Sequence, residues 1–442
     1  MSRTDIVAGF SEGFHDAALC ILDGDEIVHA SHAERHSRVK GDRWLHPSQL
    51  QRLAGASIVA YYENPWKKNA RRIWAGQRRA PMRTRYDVRF GHHQSHAAAG
   101  YYTAPFTDCN ILVVDAIGEW ETISIWDRME RIRSWRYPYS LGLLYSAITA
   151  RIGLTPNRDE YITMGMAAYG EPIHDLSPLL ERNLHGGCPD IFPDARDVDL
   201  AASVQAIFEE KLLELVALCP KENLVLMGGC ALNCVANSKI RGKNIWIMPN
   251  PGDGGSAIGA AALVNRRKLR WRGPYLGTEM PRADPSVVVR ELLRNKVCGV
   301  ASGRAEFGPR ALGNRSILAD CRYDVKDTVN ILKRRQKFRP FAPAVLEEFA
   351  EQYFSGPMNE YMQFTARALH DYASVIHVDG TARVQVVRKD CPSVLRQILE
   401  EWYEATGVPM LLNTSLNIKD EPMLDGVSDV QRFVSQNHIR VV

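Results

Sequence analysis

The chain opens with short apolar runs separated by polar turns, a pattern typical of paired β-strands. Apolar residues dominate positions 6–10, 17–22 and 26–30, and the dipeptide Asp23-Gly24 lies between the second and third runs. Asp-Gly between two apolar runs favours a tight hairpin turn. The opening of the chain therefore predicts three consecutive strands joined by turns.

The same strand–turn–strand pattern recurs later and is followed by helical periodicity. The apolar run 111–114 ends at Asp115 and leads through a polar turn into a second β-branched run. Apolar residues at helical spacing predict helices over 140–151 and 200–217. This alternation of strands and helices predicts an α/β fold.

Two glycine-rich turns follow predicted strands in the middle of the chain. The strand 223–227 is followed by Gly228-Gly229, and the strand 245–248 by a turn that contains Asp253. A strand, a Gly pair and a helix form a common site for phosphate or ribose, although paired glycines also serve close packing. Asp253 fits an ordinary turn as well as a site where a ligand approaches the backbone.

Length and composition indicate a globular protein with two domains. The chain has 442 residues, of which 45% are hydrophobic and 24% charged. One core rarely grows to this length, so we expect a domain boundary in the Pro-rich stretch 274–285. Nine scattered cysteines without a C-x-x-C pair argue against a disulfide scaffold or a zinc ribbon. Because the sequence shows neither a membrane span nor a signal peptide, we expect a cytoplasmic protein.

The net charge of +4 is distributed unevenly along the chain. Basic residues cluster at 67–89, 128–136 and 266–272, and Trp66 and Trp74 lie in or beside the first cluster. Arginines interleaved with aromatic residues are typical of surfaces that bind phosphate and stack bases. Each cluster alone fits a solvated helix face, but three together favour a polyanionic partner such as DNA.

A candidate metal site lies where a predicted helix precedes a predicted strand. His92 and His96 are spaced so that both imidazoles lie on one face of an Ala-rich helix, and Asp115 ends the following strand. Two imidazoles and a carboxylate form a three-ligand site with room for a substrate oxygen. The spacing alone is also compatible with two polar histidines on a helix.

Several longer strings carry a resemblance that covers nearly the whole chain, from about residue 5 to residue 425. The chain resembles the O-carbamoyltransferases of the nodulation and antibiotic-tailoring type. The matching strings include HHQSHAAAGYYTAPF, VVDAIGEWET, MGMAAYGEP, MGGCALNCVAN, PNPGDGGSAIGAA, EFGPRALGNRSILAD, FRPFAPAVLEE, HVDGTARVQVV and TGVPMLLNTSLN.

The resemblance implies a fold and an activity. It implies an actin/hexokinase-like (ASKHA) domain over residues 1–280 and a smaller YrdC-like α/β domain over 286–442. In the family, carbamoyl phosphate and ATP form carbamoyl adenylate in the YrdC-like domain, and an acceptor hydroxyl attacks that intermediate in the actin-like domain. The resemblance also implies a divalent metal, with iron favoured over Mg, Mn or Zn.

Matching positions carry the family's functional residues over to this chain. The implied metal ligands are His92, His96, Asp115 and Asp253. The implied cofactor-binding residues are Gly228, Gly229, Asn233, Asn413 and Ser415. The implied catalytic residues are His15, Lys40, Arg310, Lys333 and Arg383, of which His15 is the candidate general base, or alternatively only a cap of the phosphate hairpin.

The acceptor is the part of the prediction that departs from the family. Known acceptors of the family are mostly sugars and macrolide-like molecules, which do not require three basic clusters. The clusters favour DNA, with 5-hydroxymethylcytosine as the acceptor and a phage-encoded enzyme acting in a host cytoplasm as one setting. The alternative is a hydroxyl of a small-molecule natural product or a sugar.

Two other functions fit parts of the sequence. A tRNA-modifying transferase shares the His-x-x-x-His domain, but the fused string FGPRALGNRS argues against it. A non-catalytic ATP-binding module is disfavoured because all four implied metal ligands are present. In addition, the family usually carries a lysine just before the Met-Gly pair, near Glu160, and this chain lacks it, which places local phosphate or acceptor contacts in doubt but not the core reaction.

Overall fold

The computed structural model describes residues 6–437 and 439–442. The chain forms two compact units, Met1–Ala33 with Gly41–Trp271, and Glu34–Lys40 with Arg272–Val442. Among the described residues, no helix is both long and apolar enough to cross a bilayer.

The first unit contains two five-stranded sheets. Its strands are β1 (Ile6–Ser11), β2 (Ala18–Asp23), β3 (Glu26–His32), β4 (Ile58–Tyr61), β5 (Val88–Arg89), β6 (Asn110–Gly118), β7 (Glu121–Asp127), β8 (Glu130–Arg136), β9 (Asn223–Met227) and β10 (Asn244–Trp246). Its helices are α2 (Pro47–Leu53), α3 (Pro65–Trp74), α4 (His92–Thr103), α5 (Leu141–Arg151), α6 (Glu160–Met166), α7 (Asp197–Ala217), α8 (Cys234–Asn237) and α9 (Ser256–Asn265), and the short α1 (Ala33–Ser37) begins here.

The two sheets share one topology. The first has the order β3-β2-β1-β4-β5 and the second β8-β7-β6-β9-β10. In each sheet the three strands that come first in the sequence pair antiparallel. The other two are parallel: β4 pairs with β1 and β5 with β4 in the first sheet, and β9 pairs with β6 and β10 with β9 in the second. This duplicated order confirms the actin/hexokinase-like α/β class.

Two small-residue helices lie between the sheets and set the position of the site. Helix α9 packs on β1, β2 and β4, α4 packs on β6 and β9, and the two helices pack against each other. Their Ala- and Gly-rich sequences permit this close approach, since bulkier side chains would separate the backbones. Burial on every side explains why polar residues on α4 are held inside the protein.

The second unit is a mixed α/β structure. Its strands are β11 (Tyr275–Met280), β12 (Val297–Ala301), β13 (Gly303–Glu306), β14 (Arg315–Ala319), β15 (Ala342–Leu346), β16 (Phe354–Ser355), β17 (Ala366–Ala368), β18 (Thr381–Ala382), β19 (Gln385–Val387) and β20 (Met410–Ser415). Its helices are α10 (Pro285–Asn295), α11 (Lys326–Leu332), α12 (Ala350–Tyr353), α13 (Leu395–Thr406) and α14 (Val427–Asn437).

The main sheet of this unit has the order β12-β14-β20-β15-β19 and is covered on both faces. Along β20, Leu411 packs toward α10 and α13, whereas Met410 and Leu412 join the core cluster on the other face. This alternation is the period-two pattern of a strand buried on both sides. The α/β character of this unit was expected, and its likeness to YrdC stays a prediction.

Three local features differ from the sequence-based expectations. The expected linker 274–285 contains β11, which pairs with β13, so the compact units divide after Trp271. The domain limits 1–280 and 286–442 stay predictions. Residues 1–5 of the first predicted domain lie outside the described residues. Gly229 opens only a single 3₁₀ turn before α8, and the strand expected at 245–248 is β10, shifted toward the N-terminus.

Candidate active site

Four residues from three parts of the first unit converge in its interior. Helix α4 supplies His92 and His96, β6 supplies Asp115, and the turn before α9 supplies Asp253. All four are buried, and one potential ligand atom from each lies within 4.8 Å of the others. The structure therefore brings together the four residues implied as metal ligands.

The separations within this cluster match those of a metal coordination sphere. His92 Nε2 lies 2.9 Å from Asp115 Oδ2 and 3.1 Å from His96 Nε2. His96 Nε2 lies 3.3 Å from Asp253 Oδ1. Ligand atoms held ~2.0–2.2 Å from a common ion lie roughly 3–3.5 Å apart. Two imidazole nitrogens and two carboxylate oxygens at this spacing fit a divalent cation.

The outer nitrogens of both histidines face an oxygen atom behind the ring. The backbone carbonyl of Pro251 lies 3.1 Å from His96 Nδ1, which leaves Nε2 facing the cluster. Glu63 Oε2 lies 3.5 Å from His92 Nδ1. Carbonyls and carboxylates behind ligating histidines fix the tautomer and raise the basicity of the inner nitrogen.

Glu63 is a site residue that the sequence analysis missed. It follows β4, is buried, forms an ion pair with Lys68 and accepts a hydrogen bond from Tyr61 Oη at 3.0 Å. Burial alone would raise the pKa of Glu63, but Lys68 and His92 hold that pKa at about 2. The available signal was an acid directly after a strand that precedes the His-bearing helix.

His93 lies beside the cluster but faces away from it. Its Nδ1 lies 2.7 Å from Ser124 Oγ on β7. Burial, together with the nearby His92, lowers the pKa of His93 well below its usual value, so the ring is neutral. Residues four apart share a helix face and adjacent residues do not, so the ring of His93 leaves α4 in a different direction from those of His92 and His96.

Glycines make room for the cluster at two points. A Cβ on Gly118 would lie 2.0 Å from Cδ2 of His92, so a larger residue would displace that ring. Gly228 has a φ of 92°, and a Cβ there would lie 2.1 Å from the carbonyl oxygen of Val114. The neighbouring Gly229 N–H donates to Asp115 Oδ1 at 3.3 Å. The Gly pair thus holds the end of β9 against a cluster carboxylate.

Asn233, predicted to bind nucleotide, has a structural role in this conformation. Its Oδ1 accepts from the backbone N–H of Ala236 at the start of α8, and its Nδ2 donates to Gln205 Oε1 at 2.9 Å. Both ends of the amide are therefore occupied within the first unit. The contact between Asn233 and a nucleotide stays a prediction. It would require the Asn233 amide to bind the nucleotide while keeping, or giving up, its bonds to Ala236 and Gln205.

The carboxylates around His15 favour its protonated form. Its Nδ1 lies 2.9 Å from Asp16 Oδ2. Burial lowers the pKa of His15, but Asp16 and the more distant Asp253 and Asp115 raise it by a larger amount, so that the pKa rises to about 9. The expected base role thus requires that His15 first give up a proton.

Lys333 is a buried anchor for the end of β20. Its Nζ donates to Ser415 Oγ at 3.2 Å, to Asn417 O and Oδ1 at 2.9 Å each, and to the Ser415 carbonyl. Burial, aided by Arg335 and Arg339, lowers the pKa of Lys333 well below its usual value. Lys333 thereby fixes Ser415, one of the implied cofactor-binding residues.

Two of the implied residues of the second unit each have one buried polar atom without a hydrogen-bond partner. Arg383 Nε and Asn413 Oδ1 are buried without a hydrogen-bond partner in the part of the chain that the structure describes. Asn413 Nδ2 donates to Gln385 Oε1 at 2.7 Å, which fixes the direction of the free oxygen. Leaving such a group unpaired costs about 1–3 kcal/mol, so a water molecule or a ligand that supplied the missing bond would be stabilised there.

Arg310 and Lys40 also belong to the second unit. Arg310 is half-buried in the loop between β13 and β14, and Glu306 Oε1 holds that loop by accepting the backbone N–H groups of Leu312 and Asn314 at 2.8 Å. Lys40 forms a 3.0 Å ion pair with Glu34 within the segment Glu34–Lys40. Lys40 thus belongs to the second compact unit, and His15 belongs to the first.

The three basic clusters serve the fold in part. Lys68 and Arg71 of the first cluster are buried and bonded inside the first unit. Lys268 of the third cluster donates to the carbonyls of Ala104 and Phe106 just after α4. The second cluster is the exposed strand β8, at the edge of its sheet. Part of the basic charge thus has a structural role and needs no polyanionic partner.

Comparison with known proteins assigns both units to one family. The family described as "Carbamoyltransferase N-terminus" matches residues 46–185 and 189–262, and "Carbamoyltransferase C-terminus" matches residues 289–442. These ranges include the metal-type cluster and the residues Arg310, Lys333, Arg383, Asn413 and Ser415.

Full-length relatives support the same assignment. Nodulation protein NolNO of Sinorhizobium fredii is 30% identical over 94% of this chain and 76% of its own length. An uncharacterized protein of Synechocystis sp. is 33% identical over 77% of this chain and 72% of its own length. Nodulation protein NolO of Bradyrhizobium diazoefficiens is 30% identical over 76% of this chain and 74% of its own length.

Solved structures show only a distant likeness. The activator of the 2-hydroxyisocaproyl-CoA dehydratase from Clostridium difficile is 15% identical, covers 59% of this chain and 94% of its own, and has a TM-score of 0.41. The assignment thus rests on the sequence matches, which span both units. The chain is an enzyme of the carbamoyltransferase family.

Proposed function

We propose that this carbamoyltransferase transfers a carbamoyl group from carbamoyl phosphate, through a carbamoyl adenylate, to a hydroxyl of a sugar or another small molecule. The observation that carries the proposal is the similarity to nodulation proteins over most of the chain. The buried His92, His96, Asp115 and Asp253 cluster supports it, because the four implied ligands converge at metal-binding distances.

The first half-reaction is assigned to the second unit. Carbamoyl phosphate, ATP and one water give carbamoyl adenylate, pyrophosphate and inorganic phosphate. Bringing two polyanions together requires cations that neutralise negative charge in the transition state, and Arg310 and Arg383 can supply that positive charge. Asn413 Oδ1, buried without a partner among the described residues, is available to accept a hydrogen bond from the carbamoyl amide.

The second half-reaction is assigned to the first unit. The acceptor oxygen attacks the carbamoyl carbon, AMP leaves with the bridging oxygen, and the hydroxyl proton is released. A divalent cation held by His92, His96, Asp115 and Asp253 would supply Lewis-acid polarisation of the acyl phosphate. Protonated His15 would donate a hydrogen bond to the departing phosphate, and neutral His15 would accept the hydroxyl proton.

A small-molecule acceptor is favoured over DNA. Nodulation proteins are among the relatives of this chain, and part of the basic charge that suggested DNA is buried in the fold. The hydroxymethylcytosine acceptor therefore has no remaining specific support. The resemblance implies that the metal is iron, and this stays a prediction. Metal analysis of the purified protein tests it.

The test is mass spectrometry of acceptors incubated with the enzyme, ATP and isotopically labelled carbamoyl phosphate. We expect one labelled carbamoyl group on an aminoglycoside, a chitin oligosaccharide or a macrolide, and AMP in equal amount. Hydroxymethylated duplex DNA serves as the comparison acceptor. Labelling of the duplex but of no small molecule would contradict the acceptor proposal, and absence of AMP would contradict the adenylate route.

A further inference from the structure

Helix α3 directs its large apolar side chains outward and two of its charged side chains inward. Trp66, Ile73 and Trp74 are 74%, 51% and 63% exposed, whereas Lys68 and Arg71 are only 5% and 4% exposed. This is the reverse of the usual surface helix, whose apolar stripe faces the core. The outward residues Trp66, Ala70, Ile73 and Trp74 form what we call the tryptophan face.

Buried polar bonds fix this orientation. Lys68 forms an ion pair with Glu63, and Arg71 Nε donates to the carbonyl of Glu119 at 3.0 Å. The Arg71 guanidinium also contacts His185 Nε2 at 3.0 Å. Rotating α3 to bury the tryptophan face would expose these bonds and separate Lys68 from Glu63. The apolar face is therefore a stable feature of the surface.

The segment that follows the helix is strongly basic and exposed. Asp87 is its one acid. The exposed cations of α3 and this segment are Lys67, Arg78, Arg79, Arg83, Arg85 and Arg89. Some of this charge is engaged locally, since Arg83 stacks on Trp44 at 4.1 Å. Arg78 and Arg79 lie just beyond the C-terminal end of α3, adjacent in sequence to the tryptophan face.

We propose that the tryptophan face and the cations around it dock on an anionic phospholipid membrane. Indole and aliphatic side chains enter the boundary between headgroups and acyl chains, while nearby lysine and arginine side chains attract anionic headgroups. Duplex DNA fits the face less well, because it offers phosphates but no hydrocarbon to receive Ile73. The contact is peripheral, and it does not depend on which acceptor the enzyme uses.

Vesicle flotation with the full-length protein tests the proposal. We expect the protein to float with vesicles of phosphatidylcholine and phosphatidylglycerol, and not with phosphatidylcholine alone. Binding should shift tryptophan emission to shorter wavelength, because Trp66 and Trp74 leave water. Added salt should weaken binding, since part of the attraction is electrostatic.

Variants separate the apolar contribution from the charge. Trp66→Ser with Ile73→Ser should lower the partition coefficient about tenfold or more, since each side chain loses its burial in the membrane. The matched control Ile173→Ser changes an isoleucine that is 64% exposed elsewhere and should bind normally. Arg78→Gln with Arg79→Gln should lower the partition coefficient about fivefold for each arginine. The control Arg52→Gln changes an exposed arginine elsewhere and should leave the partition coefficient unchanged.

Three results would overturn the proposal. One is failure of the wild-type protein to float with anionic vesicles. Another is unchanged binding of the Trp66→Ser, Ile73→Ser variant when the arginine variant has lost it, which would indicate a purely ionic surface. The third is tight, salt-sensitive binding to duplex DNA that anionic vesicles do not compete for, which would assign the surface to nucleic acid.

Discussion

The direction of individual side chains decides which residues of the HHQSH string form the site. His92 and His96 point to Asp115 and Asp253, whereas His93, on the same helix, points to Ser124. Residues four apart share a helix face and adjacent residues do not. Helical geometry thus explains why one of two consecutive histidines lies in the cluster.

Replacing His96 should remove metal binding with little effect on the helix. We expect His96→Ala to weaken binding of Fe²⁺, Mn²⁺ and Zn²⁺ by more than about 100-fold. The loss should be larger than the one that follows removal of a group behind a ligating histidine, because His96 itself would bind the metal. Titration calorimetry measures this directly. His93→Gln is the matched control and should bind metal normally, because its amide can keep the bond to Ser124. Equal losses in both variants would contradict the assignment.

Glu63 should act on metal affinity through His92. We expect Glu63→Gln to weaken metal binding by about 10–100-fold, since the amide is a poorer acceptor for the His92 N–H. The single change also leaves Lys68 buried without its carboxylate, which costs stability. The double variant with Lys68→Met should recover thermal stability but not metal affinity. Recovery of both would show that Glu63 is only structural.

At the scale of elements, α3 shows where local patterns fail. Its charged residues suggested an exposed basic face, yet Lys68 and Arg71 are buried and Trp66 and Ile73 are exposed. Only the tertiary partners of the charged side chains, Glu63 and the carbonyl of Glu119, reveal this orientation. Helix α4 was easier to predict, because its Ala-rich sequence favours a helix.

The contact between α3 and His185 should make stability pH-dependent. Burial, together with Arg71 and Arg72, lowers the pKa of His185 from 6.5 to about 4. The unfolded chain therefore binds more protons between these values, so stability is complete above pH 6.5 and falls as the pH drops to about 4. We expect a loss of about 1–2 kcal/mol, reduced because the ring is partly exposed.

Chemical denaturation at a series of pH values measures this effect. The variant His185→Gln keeps an acceptor for Arg71 but cannot titrate, so its stability should change less than that of the wild type across the same window. An identical pH dependence in both proteins would assign the acid sensitivity to other groups.

At the scale of the whole molecule, the chain combines a duplicated β-sheet topology with a separate α/β unit. The first unit carries the His and Asp cluster, and the second carries Arg310, Arg383 and Asn413. This division predicts that the two half-reactions can be disabled separately, because each depends on residues of one unit.

Half-reaction assays test that division. We expect Arg383→Gln to lower pyrophosphate release from ATP and carbamoyl phosphate by about 100-fold, since it removes a cation from the adenylate-forming site. We expect His96→Ala to retain pyrophosphate release but to form no O-carbamate. Loss of pyrophosphate release in His96→Ala to the same extent as in Arg383→Gln would contradict separate sites.

The sequence by itself determined the strand and helix alternation, the family and the identity of the four clustered residues. These follow from short-range backbone periodicity and from long motifs whose residue types the chemistry requires. Only the tertiary structure decided that Glu63 stands behind His92, that Asn233 is engaged by Gln205 and that α3 faces outward. These contacts join residues distant in sequence, and their geometry is set by how two helices pack between two sheets, which no local pattern encodes.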